Sequence, residues 1–138
     1  MTGRLASLRR LTPAERRTLM LAAALLVVVP LLIRLVPLPR LLSLPCGRAG
    51  GGLAPERVAR LVVVAARYVP GAHCLPVALV TAWLLTRQGT PATLRLGVAR
   101  HADRLVAHAW LDCLGRPLAG AGEPDGYTPI LAAPVPAR

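Results

Sequence analysis

The sequence predicts an α+β fold in which helices come first and a small antiparallel sheet follows. Two observations support this class. The first half of the 138-residue chain carries long apolar stretches in helical spacing, separated by proline and glycine clusters. Residues 92–99 instead alternate like a strand, and a polar turn at residues 101–104 separates them from a second predicted strand over residues 105–113.

The first predicted helix begins with a strong start signal. Thr12 is a good N-cap, Pro13 suits the first helical position, and Glu15 lies in the first turn. An apolar run then extends from Leu19 to Ile33, and we expect Pro30 to break it. We therefore predict an N-terminal hydrophobic helix ahead of the main domain.

Three interpretations of this apolar run stay open at this point. It is a buried or partner-facing helix, a membrane-associated helix over residues 19–36, or a cleaved secretory signal. A membrane span needs about 20 apolar residues, and the run is shorter unless Arg34 is tolerated. Proline-rich sequence follows instead of a small-residue cleavage site, which weighs against a signal.

Proline-rich residues 37–45 and the glycine cluster 47–52 together form a predicted linker. We accordingly divide the chain into an N-terminal helical appendage, residues 1–45, and a domain that carries the chemistry, residues 46–138. The glycine cluster lacks the Lys-Ser/Thr ending of a phosphate-binding loop. The sequence therefore predicts no nucleotide site.

Net charge is +11, and all 17 basic residues are arginine. Residues 1–67 carry +9 of this charge, and residues 68–138 carry +2. Such a basic half attracts anionic lipid, acidic peptide or nucleic acid. Nucleic acid is disfavoured because no aromatic or Gly-Arg interleaving accompanies the arginines.

Three cysteines, Cys46, Cys74 and Cys113, do not make a disulfide framework, and none lies at zinc-ribbon or Cys-x-x-Cys spacing. An odd cysteine count without such motifs is typical of a reducing compartment. We therefore predict a cytoplasmic protein in which Cys46 and Cys113 are ordinary thiols.

In the second domain, two predicted helices are followed by the strands of an antiparallel sheet. The predicted elements are helices over 55–69 and 74–88, with Gly89 ending the second, and strands over 92–99, 105–113 and 116–120. The tail from Glu123 to Arg138 is rich in Pro and Gly, and we expect it to be irregular.

Cys74 and His108 are the candidate catalytic pair. A thiol at a helix start faces the positive end of the helix dipole, which favours thiolate, and the free N–H groups there can stabilise an oxyanion. His108 lies in a predicted strand between two alanines, and we expect Trp110 to form one wall of the site. His73 is adjacent to Cys74 and poorly placed as a base, whereas His101 belongs to the polar turn.

A third group is expected to orient the imidazole of His108. Asp112 is four residues along the same strand face, about 13 Å away by strand rise. Glu123, or alternatively Asp125, is able to reach back from the following loop, unless the site works as a dyad.

A zinc site built from the histidines and Cys74 is the competing interpretation. The candidate ligands are His73, Cys74, His101 and His108. Their spacing is not standard and no carboxylate accompanies them. We therefore predict neither a metal nor a cofactor.

From about Leu11 to Ile130 the chain resembles the lasso-peptide leader peptidases, small transglutaminase-like proteins similar to the C-terminal domain of the microcin-processing protein. The likeness rests on the cysteine-initiated Leu-rich helix 74–89, the Leu-Gly-Val-Ala-Arg segment within 94–100, the His-Ala-Trp motif within 107–112, and Gly-Arg-Pro-Leu at 115–118.

This resemblance implies a papain- and transglutaminase-like cysteine peptidase fold and removal of the leader from a ribosomally made lasso-peptide precursor. It makes Cys74 the nucleophile and His108 the general base and acid. The family usually has Asp twelve residues after this His. Gly120 stands there in this chain, so Glu123 or Asp125 would have to substitute.

The resemblance also implies partners, namely the precursor, a separate leader-recognition protein, and an ATP-dependent, asparagine-synthetase-like cyclase. Two alternatives remain beside the peptidase. One is a membrane-associated scaffold with a degenerate site, which the missing carboxylate at Gly120 supports. The other is an acyltransferase that uses the same Cys74 and His108 pair.

Overall fold

A layer of helices packs on one face of a four-stranded antiparallel sheet in the computed structural model, which describes residues 7–43, 52–118 and 126–135. The helices are α1 (Pro13–Leu35), α2 (Leu38–Leu42), α3 (Pro55–Ala66) and α4 (Cys74–Arg87), and the strands are β1 (Ala92–His101), β2 (Arg104–Cys113), β3 (Arg116–Pro117) and β4 (Thr128–Val135). The predicted α+β class is confirmed.

Helix α1 starts as the sequence predicts, with a complete capping box. The Glu15 N–H donates to Thr12 Oγ1 at 3.2 Å, and the Thr12 N–H donates to Glu15 Oε2 at 2.8 Å. The second carboxylate oxygen, Oε1, accepts from Arg57 Nε of α3 at 2.6 Å. One carboxylate therefore fixes the start of α1 and ties it to α3.

Contrary to expectation, Pro30 does not break α1, which runs on to Leu35. A proline inside a helix removes one hydrogen bond, so the helix has to be held by packing. Ala22, Leu26 and Val29 supply that packing, since all are fully buried in the common core with α3 and α4. The predicted boundary at residues 45 and 46 lies outside the described residues.

Helix α4 is the centre of the fold, because every residue from Pro76 to Thr86 is buried. It touches α1 and α3 on one side and the sheet on the other. Trp83 Nε1 donates to the Leu41 carbonyl at 3.1 Å and so anchors α2 to this helix. A helix that is apolar all round is stable only in such a buried position.

The end of α4 follows the prediction for Gly89, whose φ is +84°. The Thr90 N–H donates to Leu85 O at 2.9 Å, and the Gly89 N–H donates to Thr86 O at 3.1 Å. These two bonds define a Schellman motif, which uses a left-handed glycine to satisfy the last carbonyls. The link over residues 88–91 then turns directly into β1.

Strand order in the sheet is β3-β2-β1-β4, with all neighbours antiparallel. The β1–β2 hairpin is longer than predicted, with only Ala102 and Asp103 in its turn. The tight turn at Leu114 and Gly115 is present, both residues having positive φ. The third strand was predicted over 116–120; β3 covers Arg116–Pro117, and residues 119–120 lie outside the described part.

The prediction of an irregular tail is wrong for residues 128–135, which form β4 and pair with β1. This strand was not predicted because it contains Pro129 and Pro134, and proline cannot donate a hydrogen bond to a sheet ladder. β4 has a neighbour on one side only in the described sheet, and an edge strand tolerates proline.

The apolar face of α1 that points away from the core is exposed, including Met20, Val27 and Leu31. By length and composition α1 is able to cross a membrane, although a core helix or a signal sequence passes the same test.

The Trp110 ring of β2 lies directly over the backbone of Gly97 in β1. A Cβ built there would lie 2.7 Å from the Trp110 ring and 3.1 Å from the carbonyl oxygen of Thr128 on β4. Trp110 is itself buried, so the ring has little room to withdraw. The absence of a side chain at residue 97 therefore sets how Trp110 lies on the sheet.

We expect Gly97→Ala to destabilise the protein by about 1–3 kcal/mol, because overpacking forces the Trp110 ring or the β4 backbone to move. Urea unfolding followed by circular dichroism measures this change. Gly52→Ala is the matched control, since nothing lies within 4 Å of its added methyl group. Equal stability of the Gly97→Ala protein and the wild type would contradict the packing described here.

Hydrogen bonds from Arg57 and from the Thr12 backbone hold the pKa of Glu15 below its ordinary value. A carboxyl whose pKa is lower in the folded state stabilises that state above the unfolded pKa and loses the effect as pH falls through the lowered pKa. We therefore expect Glu15→Gln, which preserves the capping box, to reduce the loss of stability between about pH 5 and pH 3.

The measurement is the unfolding midpoint in urea as a function of pH. Glu56→Gln serves as the control, because Glu56 is exposed and its nearest cationic partner, Arg116, is 3.9 Å away. An acid profile that Glu15→Gln leaves unchanged relative to the wild type would show that the Glu15–Arg57 pair is not coupled to folding.

Candidate active site

Cys74 is the first residue of α4, as predicted, and its thiol is free and half-buried. His73 occupies the N-cap without a side-chain capping bond, and its carbonyl accepts from the Val77 N–H at 3.1 Å. In the described part of the chain the N–H groups of Cys74 and Leu75 have no acceptor. Two backbone donors thus lie beside the sulfur.

The start of α4 has no side-chain cap, whereas the start of α1 has one. Pro76 removes a third donor from the first turn, so only the amides of residues 74 and 75 are free to bind an anion there. Backbone amides at a helix start are suited to the oxyanion of an acyl-transfer intermediate. The start of the helix thus brings a free thiol and two free backbone donors together.

His108 lies in β2, as predicted, and is half-buried within an aromatic cluster. Its ring centroid is 6.2 Å from that of Trp110 and 4.9 Å from that of Tyr127, which precedes β4. Gly97 is the cross-strand partner of His108. The space that a side chain at Gly97 would fill is occupied by the Trp110 ring, the second ring beside His108.

The alternation of β2 decides which face of the sheet His108 occupies. Ala109, Leu111 and Cys113 are buried in the core shared with α4. His108 and Trp110 alternate with them and therefore lie on the opposite face. Trp110 is buried on that face but does not belong to the core under α4.

Cys74 and His108 belong to elements that pack against each other, since α4 contacts both β1 and β2. α4 is joined to β1 by the short link over residues 88–91. Within the described residues, however, no hydrogen bond joins the thiol of Cys74 to the imidazole of His108.

The predicted third group is not located by the structure. Glu123 and Asp125 lie outside the described residues, as does Gly120. Asp112 shares the face of His108 but is paired with Arg95 of β1 through its Oδ2 atom. Its Oδ1 atom is buried and has no hydrogen-bond partner among the described residues.

The remaining candidates from the sequence are dispersed. His73 lies at the N-cap of α4, and His101 is exposed at the end of β1. No group of three or more metal-ligating side chains occurs within residues 7–43, 52–118 and 126–135. Burial raises the pKa of the Cys113 thiol, which faces the core, while Cys46 lies outside the described residues.

Tyr127 is a member of the cluster that the sequence did not indicate. It lies in the Pro- and Gly-rich tail, which gave no strand signal. Only the pairing of β4 with β1 brings its ring to His108. The position of Tyr127 could have been predicted only if residues 128–135 had been identified as a strand.

A family model described as transglutaminase-like superfamily matches residues 25–132. The match includes Cys74, His108 and Tyr127 and extends from the second half of α1 into β4. No significant match was found among characterised proteins or among solved structures. Members of the matched superfamily are commonly cysteine peptidases or acyltransferases. The chain belongs to the transglutaminase-like superfamily.

Proposed function

We propose that this protein is a cysteine peptidase that removes the leader from a ribosomally made lasso-peptide precursor. The observation that carries the proposal is the free thiol of Cys74 at an uncapped helix start, beside two unpaired backbone amides, in a transglutaminase-like domain. A nucleophile next to preformed oxyanion donors is the minimal equipment for acyl transfer.

In the proposed cycle, the Cys74 thiolate attacks the carbonyl carbon of the leader–core bond, and a C–S bond forms as the carbonyl electrons move onto oxygen. The N–H groups of Cys74 and Leu75 stabilise this oxyanion. The C–N bond then breaks, and the departing core amine takes the proton that His108 received from the thiol. Water, deprotonated by His108, attacks the thioester and releases the leader carboxylate and the free thiol.

The role of His108 has a definite geometric requirement. Its imidazole has to leave its contacts with Trp110 and Tyr127 and reach toward the end of α4. In the described sheet β2 has no neighbour at residue 108 on the side away from β1, because β3 pairs only with Asp112 and Cys113. The proposal requires the imidazole to pass the strand on that side. Catalytic hydrogen bonds in free enzymes often form only when substrate is bound.

The substrate class and partners of this proposal come from the resemblance of the motifs around Cys74 and His108 to the lasso-peptide leader peptidases. A separate leader-recognition protein delivers the precursor. An asparagine-synthetase-like cyclase then closes the ring on the amine that cleavage frees. We place the reaction in the cytoplasm, where a thiol nucleophile stays reduced.

An acyltransferase is the second candidate, because transglutaminase-like proteins include both activities and share the acyl-enzyme. The two differ only in what attacks the thioester, water or an amine. Mass spectrometry of the product separates them: a peptidase releases a leader with a free carboxylate, and an acyltransferase releases a leader joined to the attacking amine.

We expect Cys74→Ala to lower the rate of leader release by at least about 10³-fold, since removing a nucleophile has effects of this size or larger. The assay uses purified full-length protein with the precursor and the leader-recognition protein, followed by mass spectrometry. Cys113→Ala is the matched control and should cleave at the wild-type rate, because that thiol is buried in the core. Cleavage by Cys74→Ala at the wild-type rate would rule out the proposal.

We expect His108→Asn to lower the same rate by about 10²–10⁴-fold, the usual contribution of a general acid–base group. His101→Asn is the control, since His101 is exposed near the hairpin turn. A protein that needs Cys74 and is indifferent to His108 would assign the base to another residue. Folding of each variant is checked by thermal unfolding, so that a lost base is not confused with a lost fold.

A further inference from the structure

Helix α1 has an exposed apolar stripe that the proposed chemistry does not use. It consists of residues spaced three and four apart, which places them on one side of the helix. These residues are Met20, Ala24, Val27, Val28, Leu31 and Leu35. Met20, Leu31 and Leu35 are 74%, 59% and 71% exposed. Contiguous exposed apolar surface of this kind marks an interaction site.

The opposite side of α1 is fixed to the protein. Ala22, Leu26 and Val29 are fully buried against α3 and α4, and Glu15 is bonded to Arg57. A membrane-spanning α1 would have to leave this core and expose it. The structure therefore leaves only one side of α1 for a partner. It favours a partner that contacts this side alone and disfavours one that surrounds the helix.

Arginines stand at both ends of the stripe. Arg17 precedes Met20 by three residues, and Arg34 follows Leu31 by three, so both lie on the exposed side. Exposed Arg9, Arg10 and Arg40 add to them. Between residues 7 and 43 the sequence has one acid, Glu15, which is held by Arg57. The partner is therefore apolar at the centre of its contact with α1 and anionic around it.

A groove of about 650 Å³ opens beside the first half of the stripe, between α1 and the end of α3. Leu19, Met20 and Val64 line it, together with Arg67 and Tyr68. Tyr68 is exposed, although it is a large aromatic side chain. Tyrosine and arginine around an apolar opening are typical of a membrane interface, where the ring and the cation reach the headgroups.

We propose that α1 docks the protein on an anionic bilayer surface, with the helix lying in the headgroup region and its exposed stripe facing the acyl chains. Amphipathic helices with apolar faces and flanking arginines bind in this way. A second copy of the chain is a poorer occupant, because two such helices would bring arginines together without an acid to pair with them. The proposal does not depend on the peptidase activity.

The test is flotation of the full-length protein with vesicles of phosphatidylcholine, with and without 30% phosphatidylglycerol. We expect binding to the anionic vesicles that weakens as salt is raised, and little binding to the neutral ones. Arg17→Gln with Arg34→Gln should weaken binding about 25-fold, at about fivefold for each arginine near the surface. Leu31→Asn with Met20→Asn should weaken it at least tenfold.

Two control pairs match these variants elsewhere on the surface. Leu105→Asn with Leu114→Asn replaces apolar residues that are 71% and 72% exposed, and Arg100→Gln with Arg104→Gln removes two exposed arginines near the hairpin turn. Both pairs should bind vesicles like the wild type. Equal losses in the control and stripe variants would overturn the proposal, because binding would then follow total charge or hydrophobicity.

Three further results would also overturn it. The first is failure of the folded wild type to float with anionic vesicles at low salt. The second is retention of the protein by the bilayer after an alkaline carbonate wash, which indicates a spanning helix. The third is a dimer in sedimentation that the Met20→Asn and Leu31→Asn pair dissociates, which assigns the stripe to a second copy.

Discussion

The burial of α4 between the other helices and the sheet is the constraint on which the rest of the structure depends. Every residue from Pro76 to Thr86 is removed from solvent, so the helix has no polar face with which to exist alone. Its two buried hydroxyls are satisfied within the helix. Thr81 Oγ1 donates to Val77 O at 2.7 Å, and Thr86 Oγ1 donates to Trp83 O at 2.9 Å. A buried hydroxyl without such a bond would destabilise the core by about 1–3 kcal/mol.

The two ends of α4 are treated differently, and the difference creates the candidate site. At the C-terminal end the Schellman motif at Gly89 satisfies the carbonyls, and Gln88 Nε2 donates to Leu53 O at 2.7 Å. At the N-terminal end the cap residue His73 makes no side-chain capping bond, and Cys74 is partly accessible. An unfilled helix start costs stability, whereas it leaves donors free for an oxyanion. The starts of α2 and α3 also lack a side-chain cap, but among the described residues only the start of α4 carries a partly exposed thiol.

Signals carried by neighbouring residues explain which parts of this arrangement were predictable from the sequence. Two helix ends were predictable because the bonds that define them join residues close in sequence. They are the start of α1, at Thr12 and Glu15, and the end of α4, at Gly89. The first strand of the hairpin was visible from alternation, and the polar turn marked where that strand ends. Strand β4 was not, because Pro129 and Pro134 obscure its pattern and its partner β1 lies some thirty residues earlier. Tyr127 was missed for the same reason, since only that pairing brings it to His108.

His108 shows most clearly why a motif does not define a site. The sequence placed it correctly in a strand, but the face it occupies follows from the register of β1 and β2. A slip of one residue would turn His108 toward α4, and it would also take Ala109 and Leu111 out of the core and put Trp110 in their place. The close fit of Trp110 over Gly97 opposes that slip. With the register fixed, the imidazole of His108 contacts Trp110 and Tyr127 on the face of the sheet away from α4, and the proposed partnership with Cys74 would require the imidazole to leave them.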